Sequence, residues 1–183
     1  MGTGVSSEAL FDAVCAKDVR KASVALEKGV DVNAVAKVMT RYGGVYGFPS
    51  ALHVACANSS IDLVDLLLQH QVNISYHEER DGSTPLHLSC SSYYYYDNHL
   101  PIVKLLISSG ADVSAVNKRG QTPLQAAEQQ LQKDWGDPTK ENRSQIISYL
   151  KELNENSSVA AGNSASNIAD STTAVADNDH PSC

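Results

Sequence analysis

The sequence predicts an all-α fold in which helix pairs stack into a solenoid, and two observations support this prediction. The tetrapeptide Thr-Pro-Leu-His at residues 84–87 recurs as Thr-Pro-Leu-Gln at residues 122–125 and, in weaker form, as Ser-Ala-Leu-His at residues 50–53. Apolar runs at helical spacing follow the motif, and the run after residue 99 ends in Gly-Ala-Asp-Val at residues 110–113. Repetition of one helical unit at a nearly constant interval indicates a repeat array.

The unit that begins at Thr84 shows why these residue types occupy these positions. Thr84 can cap the free amide groups of a helix, and Pro85 fits the first helical position because its missing N–H has no intrahelical acceptor there. A second run, residues 100–107, is apolar nearly all round, as expected of a helix covered on more than one side. Gly110 ends this helix because a left-handed cap position tolerates Gly best.

This pattern resembles the ankyrin repeats, whose period is about 33 residues. The motif leucines Leu52, Leu86 and Leu124 lie 34 and 38 residues apart here. The resemblance covers residues 6–153 and implies an ankyrin-repeat solenoid of stacked helix pairs with β-hairpin fingers between the repeats. We assign the repeats in chain order to residues 6–36, 50–76, 81–115 and 119–153.

The repeats depart from the family pattern in ways that fit their places in the array. The first repeat lacks Thr-Pro-Leu-His, which suits a terminal cap. The second repeat carries Gln71 where ankyrin repeats prefer Gly, which weakens the end of its second helix. In the fourth repeat, residues such as Arg143 are expected to form the polar outer face that a capping repeat needs. Cys15, Cys56 and Cys90 fall on small-residue faces of predicted helices, the usual place of reduced, packed cysteines.

The flanking segments are expected to lack regular structure. Residues 1–5 form a flexible N-terminus, and residues 154–183 form a disordered acidic tail that is rich in Ser, Asn and Ala and contains no Lys or Arg. The net charge is −7, and the acidic residues of the tail are Glu155, Asp170, Asp177 and Asp179. Without a concentrated basic face, nucleic acid and anionic membranes are not expected as main partners.

The cellular location is expected to be the cytoplasm, the nucleus or both. No apolar run is long enough to span a membrane, and the start lacks the features of a secretory signal. Gly2 fits the loose pattern for N-myristoylation after removal of Met1. One acyl chain gives only marginal membrane binding, so an N-myristoylated peripheral membrane adaptor is the alternative reading rather than the preferred one.

The link between the first two repeats is about nine residues longer than the repeat period requires. In residues 37–49, apolar residues on both sides of the pair Gly43-Gly44 predict an elongated β-hairpin. We call this segment finger one. In ankyrin arrays such fingers project beside the concave groove, and this one is rich in residue types that dominate binding energy. The expected contacts are Met39, Arg41, Tyr42, Tyr46 and Phe48. A mobile loop with incidental aromatic residues remains the alternative.

Four consecutive tyrosines interrupt the third repeat, where ankyrin repeats usually have a single Gly between the paired helices. At least two of the rings should be exposed, as in an adhesive binding patch. The alternative is that the insertion folds back on its own repeat and buries most of the rings. This turn lies at the opposite end of the repeat from the fingers, so one compact ligand is not expected to touch both. The residues are Tyr93, Tyr94, Tyr95 and Tyr96.

Two His-x-x-Cys pairs, at residues 53–56 and 87–90, together resemble the four ligands of a zinc site. Zinc draws its ligand atoms to about 2.0–2.3 Å, whereas equivalent positions of stacked helices stand about 8–10 Å apart. In ankyrin repeats the His of this motif is a structural hydrogen-bonding residue that ties adjacent turns. The sequence therefore predicts a structural role here, with no metal and no cofactor, and it contains none of the common catalytic motifs.

The function predicted from the sequence is that of a non-enzymatic protein-interaction module, expected to be a monomer. The resemblance implies an adaptor, scaffold, inhibitor or assembly factor that binds another protein through its fingers and concave groove. Further contacts are expected in the second and third fingers, at His77, Glu78, Arg80, Lys118 and Arg119.

Overall fold

A computed structural model describes residues 7–36, 38–39, 45–47, 49–91, 99–133 and 140–166. These ranges contain eight helices and one two-stranded hairpin. The helices are α1 (Ser7–Cys15), α2 (Val19–Glu27), α3 (Ala51–Ala57), α4 (Ile61–Gln69), α5 (Pro85–Ser91), α6 (His99–Ser108), α7 (Pro123–Lys133) and α8 (Lys140–Ser166). The strands are β1 (Val38–Met39) and β2 (Val45–Gly47).

The first six helices form three consecutive pairs, α1 with α2, α3 with α4 and α5 with α6, and α7 and α8 follow them where the fourth repeat is predicted. Among the first helices of the pairs, α1 packs on α3, α3 on α5 and α5 on α7. Among the second helices, α2 packs on α4 and α4 on α6. Neighbouring repeats therefore share a continuous core, and the predicted all-α solenoid is confirmed.

Small side chains allow the first helices to approach one another closely. Ala13, Ala55, Ser89 and Ala127 occupy the same position in α1, α3, α5 and α7, and all four are buried. Three positions earlier, Leu10, Leu52 and Leu86 are almost fully buried as well. Each buried leucine stabilises the folded chain by about 1.5–3 kcal/mol relative to an exposed one. A leucine and a small residue thus supply the packing surface of α1, α3 and α5, whereas Leu124 of α7 is only partly buried.

Two predictions about burial were wrong. Arg143 is only 5% exposed, because its position on α8 faces the packed side of the helix near Ile146 and Ile147 rather than the outer side. Cys15 is exposed at the end of α1, whereas Cys56 and Cys90 are buried free thiols as expected. Burial raises the pKa of Cys56 to about 12 and raises the pKa of Cys90 as well. These two thiols therefore remain protonated.

The second helices α2, α4 and α6 each end with a residue in the left-handed backbone region, and α4 does so without Gly. Gly29 follows α2 with a φ of 82°, and Gly110 follows α6 with a φ of 95°. Gln71 occupies the same place after α4 with a φ of 58°. In all three turns the amide of this residue donates to a carbonyl three residues earlier. Gln71 therefore adopts the expected cap geometry with a side chain that this geometry disfavours.

The predicted hairpin of finger one is present as β1 and β2, which pair antiparallel. Val38 lies opposite Gly47 and Met39 opposite Val45, with a register shift between the two positions. The base of the hairpin closes where the Ala36 amide donates to the Pro49 carbonyl at 3.2 Å. Finger one thus leaves and returns to the array at adjacent points.

The chain divides into two units, residues 1–150 and 151–183. The second unit begins within α8, and its residues 151–166 are helical. The sequence predicts disorder from residue 154 onward, so for residues 154–166 the structure differs. Ala160, Ala161 and Ala165 favour helix extension, because Ala has the highest helix propensity and propagation costs far less than nucleation. Residues 167–183 lie outside the described residues, where disorder stays a prediction.

None of the described helices has both the length and the apolar character needed to cross a membrane.

Candidate functional site

Two buried histidines connect each repeat to the loop that precedes the next one. His53 Nε2 lies 3.0 Å from the Ser83 carbonyl, and His87 Nε2 lies 2.9 Å from the Gln121 carbonyl. A carbonyl only accepts, so Nε2 carries the hydrogen and donates it in both rings. The predicted structural role of the motif histidine, tying adjacent turns together, is confirmed.

The second nitrogen of each ring is engaged inside its own repeat. His53 Nδ1 lies 2.8 Å from Ser50 Oγ, and His87 Nδ1 lies 2.8 Å from Thr84 Oγ1 and accepts from the Thr84 amide at 3.2 Å. With both nitrogens occupied, neither ring offers a lone pair to a metal ion. Across the part of the chain that the structure describes, no group of three or more His, Cys, Asp or Glu side chains is arranged to hold a metal.

The second finger, residues 76–83, is a tight turn held by its own backbone. The Glu78 amide donates to the Ser83 carbonyl at 2.9 Å, and the Gly82 amide donates to the Glu78 carbonyl at 2.8 Å. His77 Nδ1 lies 2.9 Å from the Gly82 carbonyl and donates to it, while the ring itself is exposed. His77 therefore has a fixed orientation at the surface. We call this segment finger two.

The prediction that Glu78 contacts a partner directly does not fit its position. Its side chain is 9% exposed, and its Oε2 accepts from the Asp81 amide at 3.1 Å. Its Oε1 lies so close to Gly47 that a Cβ at residue 47 would collide with it. The carboxylate thus packs against finger one and braces finger two from inside. The contact depends on a residue 31 positions away, which is why the local sequence did not reveal it.

The third finger, residues 115–121, is bonded to finger two. The Lys118 amide donates to the Asp81 carbonyl at 2.9 Å, and Lys118 Nζ donates to the Glu79 carbonyl. Within the turn, the Arg119 amide donates to Asn117 Oδ1 at 2.9 Å. We call residues 115–121 finger three. Fingers two and three therefore form one connected surface, with Lys118 and Arg119 exposed on it.

The carboxyl of Asp81 lies near the junction of these two fingers. Burial raises its pKa, but the hydrogen bond from the Ser83 amide and the positive charge of Arg119 outweigh that effect and leave the pKa below its usual value. The Ser83 amide lies 2.9 Å from Asp81 Oδ1. Asp81 is therefore ionised at neutral pH, and its charge is already engaged within the array.

Val35, His77 and Val116 occupy the same position at the base of successive fingers. Each precedes the residue whose amide closes its finger, namely Ala36, Glu78 and Asn117. Val35 is 42% exposed, Val116 is 52% exposed, and His77 is exposed between them in chain order. We call these three residues the finger row. The two valines were not predicted as contacts, although their alignment with His77 is present in the sequence as a signal.

The predicted contacts differ in how far the structure describes them. His77, Arg80, Lys118 and Arg119 are exposed on fingers two and three. Met39 lies in β1 and Tyr46 in β2, where the backbone is described. The remaining predicted residues lie outside the described residues, and their roles stay predictions: Gly2, Arg41, Tyr42, Phe48, Tyr93, Tyr94, Tyr95 and Tyr96.

Comparison with protein families gives a match to the ankyrin repeats, with three copies over residues 10–117. The matched region contains the first three helix pairs except residues 7–9, and it includes both linking histidines. The carbonyl of Gln121, which accepts from His87, lies beyond it, as do α7 and α8, although α7 packs on α5 as α5 packs on α3.

Several curated proteins resemble the chain over part of its length. Tyrosine-protein kinase HTK16 of Hydra vulgaris is 39% identical over 93 residues, which are 50% of this chain and 12% of the kinase. Ankyrin repeat and SOCS box protein 6 of Mus musculus is 33% identical over 105 residues, 57% of this chain and 22% of that protein. Protein phosphatase 1 regulatory subunit 27 of Homo sapiens is 38% identical over 74 residues, 40% of this chain and 44% of that protein. The chain thus spans less than half the length of each of these relatives.

Proposed function

The chain belongs to the ankyrin repeat family, and we propose that it is a non-enzymatic module that binds another protein through its fingers and the groove beside them. Ankyrin repeats are protein–protein interaction modules, so the general class follows from the family. The particular proposal is the place of contact: the finger row and the exposed cations of fingers two and three. The role would be that of an adaptor, scaffold, inhibitor or assembly factor in the cytoplasm or nucleus.

The observation that carries this proposal is the exposure of valines at equivalent positions of two fingers. Val35 and Val116 each leave about half of their surface in water, and covering that surface is favourable. The backbone around them is already fixed by the hydrogen bonds that close each finger. A partner would therefore lose little free energy in ordering this surface.

The charges next to the finger row would orient an approaching partner and raise its rate of association. Arg80, Lys118 and Arg119 are exposed cations, and Glu79 is an exposed acid beside them. A mixed pattern of this kind selects a partner with the complementary arrangement and adds more to specificity than to affinity.

The names of two relatives fit a regulatory or adaptor role, which we extend to this chain only as a proposal. One is a regulatory subunit of protein phosphatase 1, and another joins ankyrin repeats with a SOCS box. Both names describe proteins that act through other proteins. The matched regions cover minor parts of these relatives, so their particular partners are not transferred.

The test compares partner capture by the wild-type chain with capture by Val35→Ser/Val116→Ser. The control is Val24→Ser, which removes a valine of similar exposure, 46%, from α2 instead of from the fingers. Circular dichroism and thermal unfolding should show that all three proteins are folded. We expect the double variant to lose specific partners that the control retains. Retention of every partner by the double variant would show that the finger row is not the contact surface.

A second arm tests the predicted contribution of finger one and the tyrosine run. The triple variant Tyr42→Ala/Tyr46→Ala/Phe48→Ala removes the aromatic residues of finger one. A separate variant replaces residues 93–96 with Gly and Ser. Loss of the same partners in the triple variant and in the finger-row variant would place finger one on the same binding surface. If only the tyrosine variant loses partners, the proposed surface is at the wrong end of the repeat.

A further inference from the structure

Helix α2 carries a basic and exposed sequence around Ser23 that the interaction surface does not use. Arg20 and Lys21 stand three and two residues before Ser23, and Val24 follows it. Ser23 is the one Ser or Thr in the sequence with cationic side chains at both of those positions. Protein kinases select substrates largely by such charge patterns, because acidic groups near the kinase cleft pair with the cations of the substrate.

The two cations of this pattern and Val24 are exposed in the folded chain, and Ser23 itself is half-buried. The Lys21 side chain is 77% exposed, Arg20 is exposed, and Val24 is 46% exposed. Lys21 pairs with Asp18 at 3.4 Å, but such an exposed ion pair contributes little and opens easily. Ser23 Oγ donates to Glu27 Oε1 at 3.0 Å in an exposed hydrogen bond. No core contact has to break for the Ser23 hydroxyl to become free.

Helix α2 is also the second helix with the weakest apolar anchoring among the first three repeats. Its buried residues are Ala22, Ala25 and Leu26, so only one large side chain holds it down. In the same role α4 buries two leucines and a valine, and α6 buries Ile102, Val103 and Leu106 together with His99.

Position in the array weakens α2 further. It packs against α1 and α4, whereas α4 has a second helix on each side. Both helices have nine residues, and isolated helices of that length are marginal in water, so this packing decides their stability. We therefore expect α2 to open locally more often than the interior helices, as a kinase that binds extended chain requires.

We propose that Ser23 is a phosphorylation site for a serine/threonine protein kinase that selects basic residues before the acceptor. The Ser23 hydroxyl attacks the γ-phosphorus of a nucleoside triphosphate held by the kinase. A new Oγ–P bond forms, and the P–O bond to the nucleoside diphosphate breaks. The hydroxyl proton passes to the catalytic carboxylate of the kinase. The phosphate remains on Ser23 as a dianion near neutral pH.

The phosphate would change the balance of interactions along α2. The hydroxyl that now donates to Glu27 becomes an acceptor-only group, and two anions then face each other four residues apart. Arg20, three residues before Ser23, lies on the same side of the helix and can pair with the phosphate. The N-terminal turn therefore stays supported while the last turn loses its side-chain bond. Phosphorylation would loosen the end of α2 and the turn that leads into finger one.

The test is phosphorylation of the full chain by the purified catalytic subunit of a cyclic-nucleotide-dependent kinase, with ATP and Mg²⁺. Intact mass and peptide mass spectrometry should show one phosphate, on Ser23, and none on Ser23→Ala. Arg20→Ala should lower the rate at least about tenfold, as expected when one charge-assisted contact is lost. The matched control Lys28→Ala removes an exposed cation five residues after Ser23 and should leave the rate unchanged.

Three results would overturn the proposal. The first is no incorporation under conditions in which a standard peptide substrate is phosphorylated. The second is phosphate elsewhere with Ser23 unmodified, for example on Ser83, which has Arg80 three residues before it but is buried. The third is phosphorylation of a synthetic peptide of residues 17–28 but not of the full chain, which would show that α2 does not open.

Hydrogen exchange then measures the consequence for the array. Amides of the last turn of α2 should exchange about fivefold faster in the phosphorylated chain, since one hydrogen bond is replaced by a like-charge pair. Amides of α4 and α6 should be unchanged. Equal exchange in α2 before and after phosphorylation would contradict the proposed loosening.

Discussion

At the scale of single residues, the turn after α4 contains a side chain that its backbone disfavours. Gln71 has a φ of 58°, whereas Gly29 and Gly110 occupy the equivalent positions after α2 and α6. A residue with a Cβ in the left-handed region costs roughly 1–2 kcal/mol, partly offset by the greater freedom of Gly in the unfolded chain.

We therefore predict that Gln71→Gly raises the free energy of unfolding by about 1 kcal/mol. Urea denaturation monitored by circular dichroism measures the change. The converse variant Gly110→Ala should be destabilised by a similar amount, because a Cβ at Gly110 meets no atom within 4 Å and only the backbone is affected. A destabilised Gln71→Gly would mean that the glutamine side chain makes a contact worth more than the strain.

The residue scale also separates what the sequence can predict from what it cannot. The burial of Leu52 and Leu86 and the cap geometry of Gly110 follow from motifs that act within a few residues. The burial of Glu78 does not, because the group that covers it belongs to finger one. A charged residue in a turn is usually exposed to solvent, so the residue type alone predicted an exposed Glu78. Long-range contacts of this kind require the fold to be known first.

At the scale of elements, the junction of fingers two and three depends on close backbone approach at Gly82. Gly82 has a φ of 70°, and a Cβ there would lie 3.0 Å from both the backbone nitrogen and Cγ of Lys118. Gly120 has nearly the same conformation, with a φ of 71°, but a Cβ there meets nothing within 4 Å. Substitutions at these two glycines therefore distinguish the free energy of backbone strain from the free energy of displacing finger three.

We predict that Gly82→Ala destabilises the chain by about 1–2 kcal/mol more than Gly120→Ala does. Both variants introduce the same backbone strain, and only Gly82→Ala displaces Lys118 from finger two. Thermal unfolding gives the difference in stability, and hydrogen exchange at the Lys118 amide reports the contact itself. Equal effects of the two substitutions would show that the junction tolerates the shift.

The histidine links between repeats are expected to make stability depend on pH. Burial lowers the pKa of His53 from its usual value of 6.5 to about 4, and burial also lowers the pKa of His87. The protonated ring is disfavoured in the folded state, so this stability is fully present above about pH 6.5. It is lost as the pH falls from there to about 4, and for His53 alone the loss amounts to about 3 kcal/mol.

We predict that His53→Gln reduces the change in unfolding free energy between pH 7 and pH 4. The chain already uses Gln at this motif position, where Gln125 Oε1 accepts from the Thr122 amide at 2.9 Å. The control is His70→Gln, at an exposed histidine after α4. Urea denaturation at both pH values measures the difference. An unchanged pH dependence in His53→Gln would show that other groups cause it.

At the scale of the whole array, the contribution of a core residue to global stability depends on how many repeats its helix packs against. Leu10 and Leu86 are both essentially buried, but α1 stacks on α3 alone whereas α5 stacks between α3 and α7. In a linear array, an end repeat can open while the remaining repeats stay folded.

We predict that Leu86→Ala lowers the global free energy of unfolding by about 2–5 kcal/mol. Leu10→Ala, with the same change in volume, should mainly increase local exchange in residues 7–36. Urea denaturation combined with hydrogen exchange distinguishes the two effects. Equal loss of global stability in both variants would mean that the array unfolds as a single cooperative unit.

The overall architecture was predictable because the sequence of each repeat predicts its own helices and turn. The finger row was harder to predict, because the sequence aligns Val35 and Val116 with His77 but does not show that their side chains are exposed. The structure adds that each of the three precedes the amide that closes its finger. Periodicity therefore predicted the scaffold, while the candidate site also required the exposure of each side chain to be known.

The hydrogen bonds between successive turns also determine how the array would respond to a pulling force. The Asn73 amide donates to Asn33 Oδ1 at 2.6 Å, and the Lys118 amide donates to the Asp81 carbonyl at 2.9 Å. Each of these bonds joins one repeat to the next, and none spans the whole array. A force applied along the stack would therefore act on all of them in series, and the weakest would break first. The array should lengthen under tension in small steps, one repeat at a time, and recoil when the force is released.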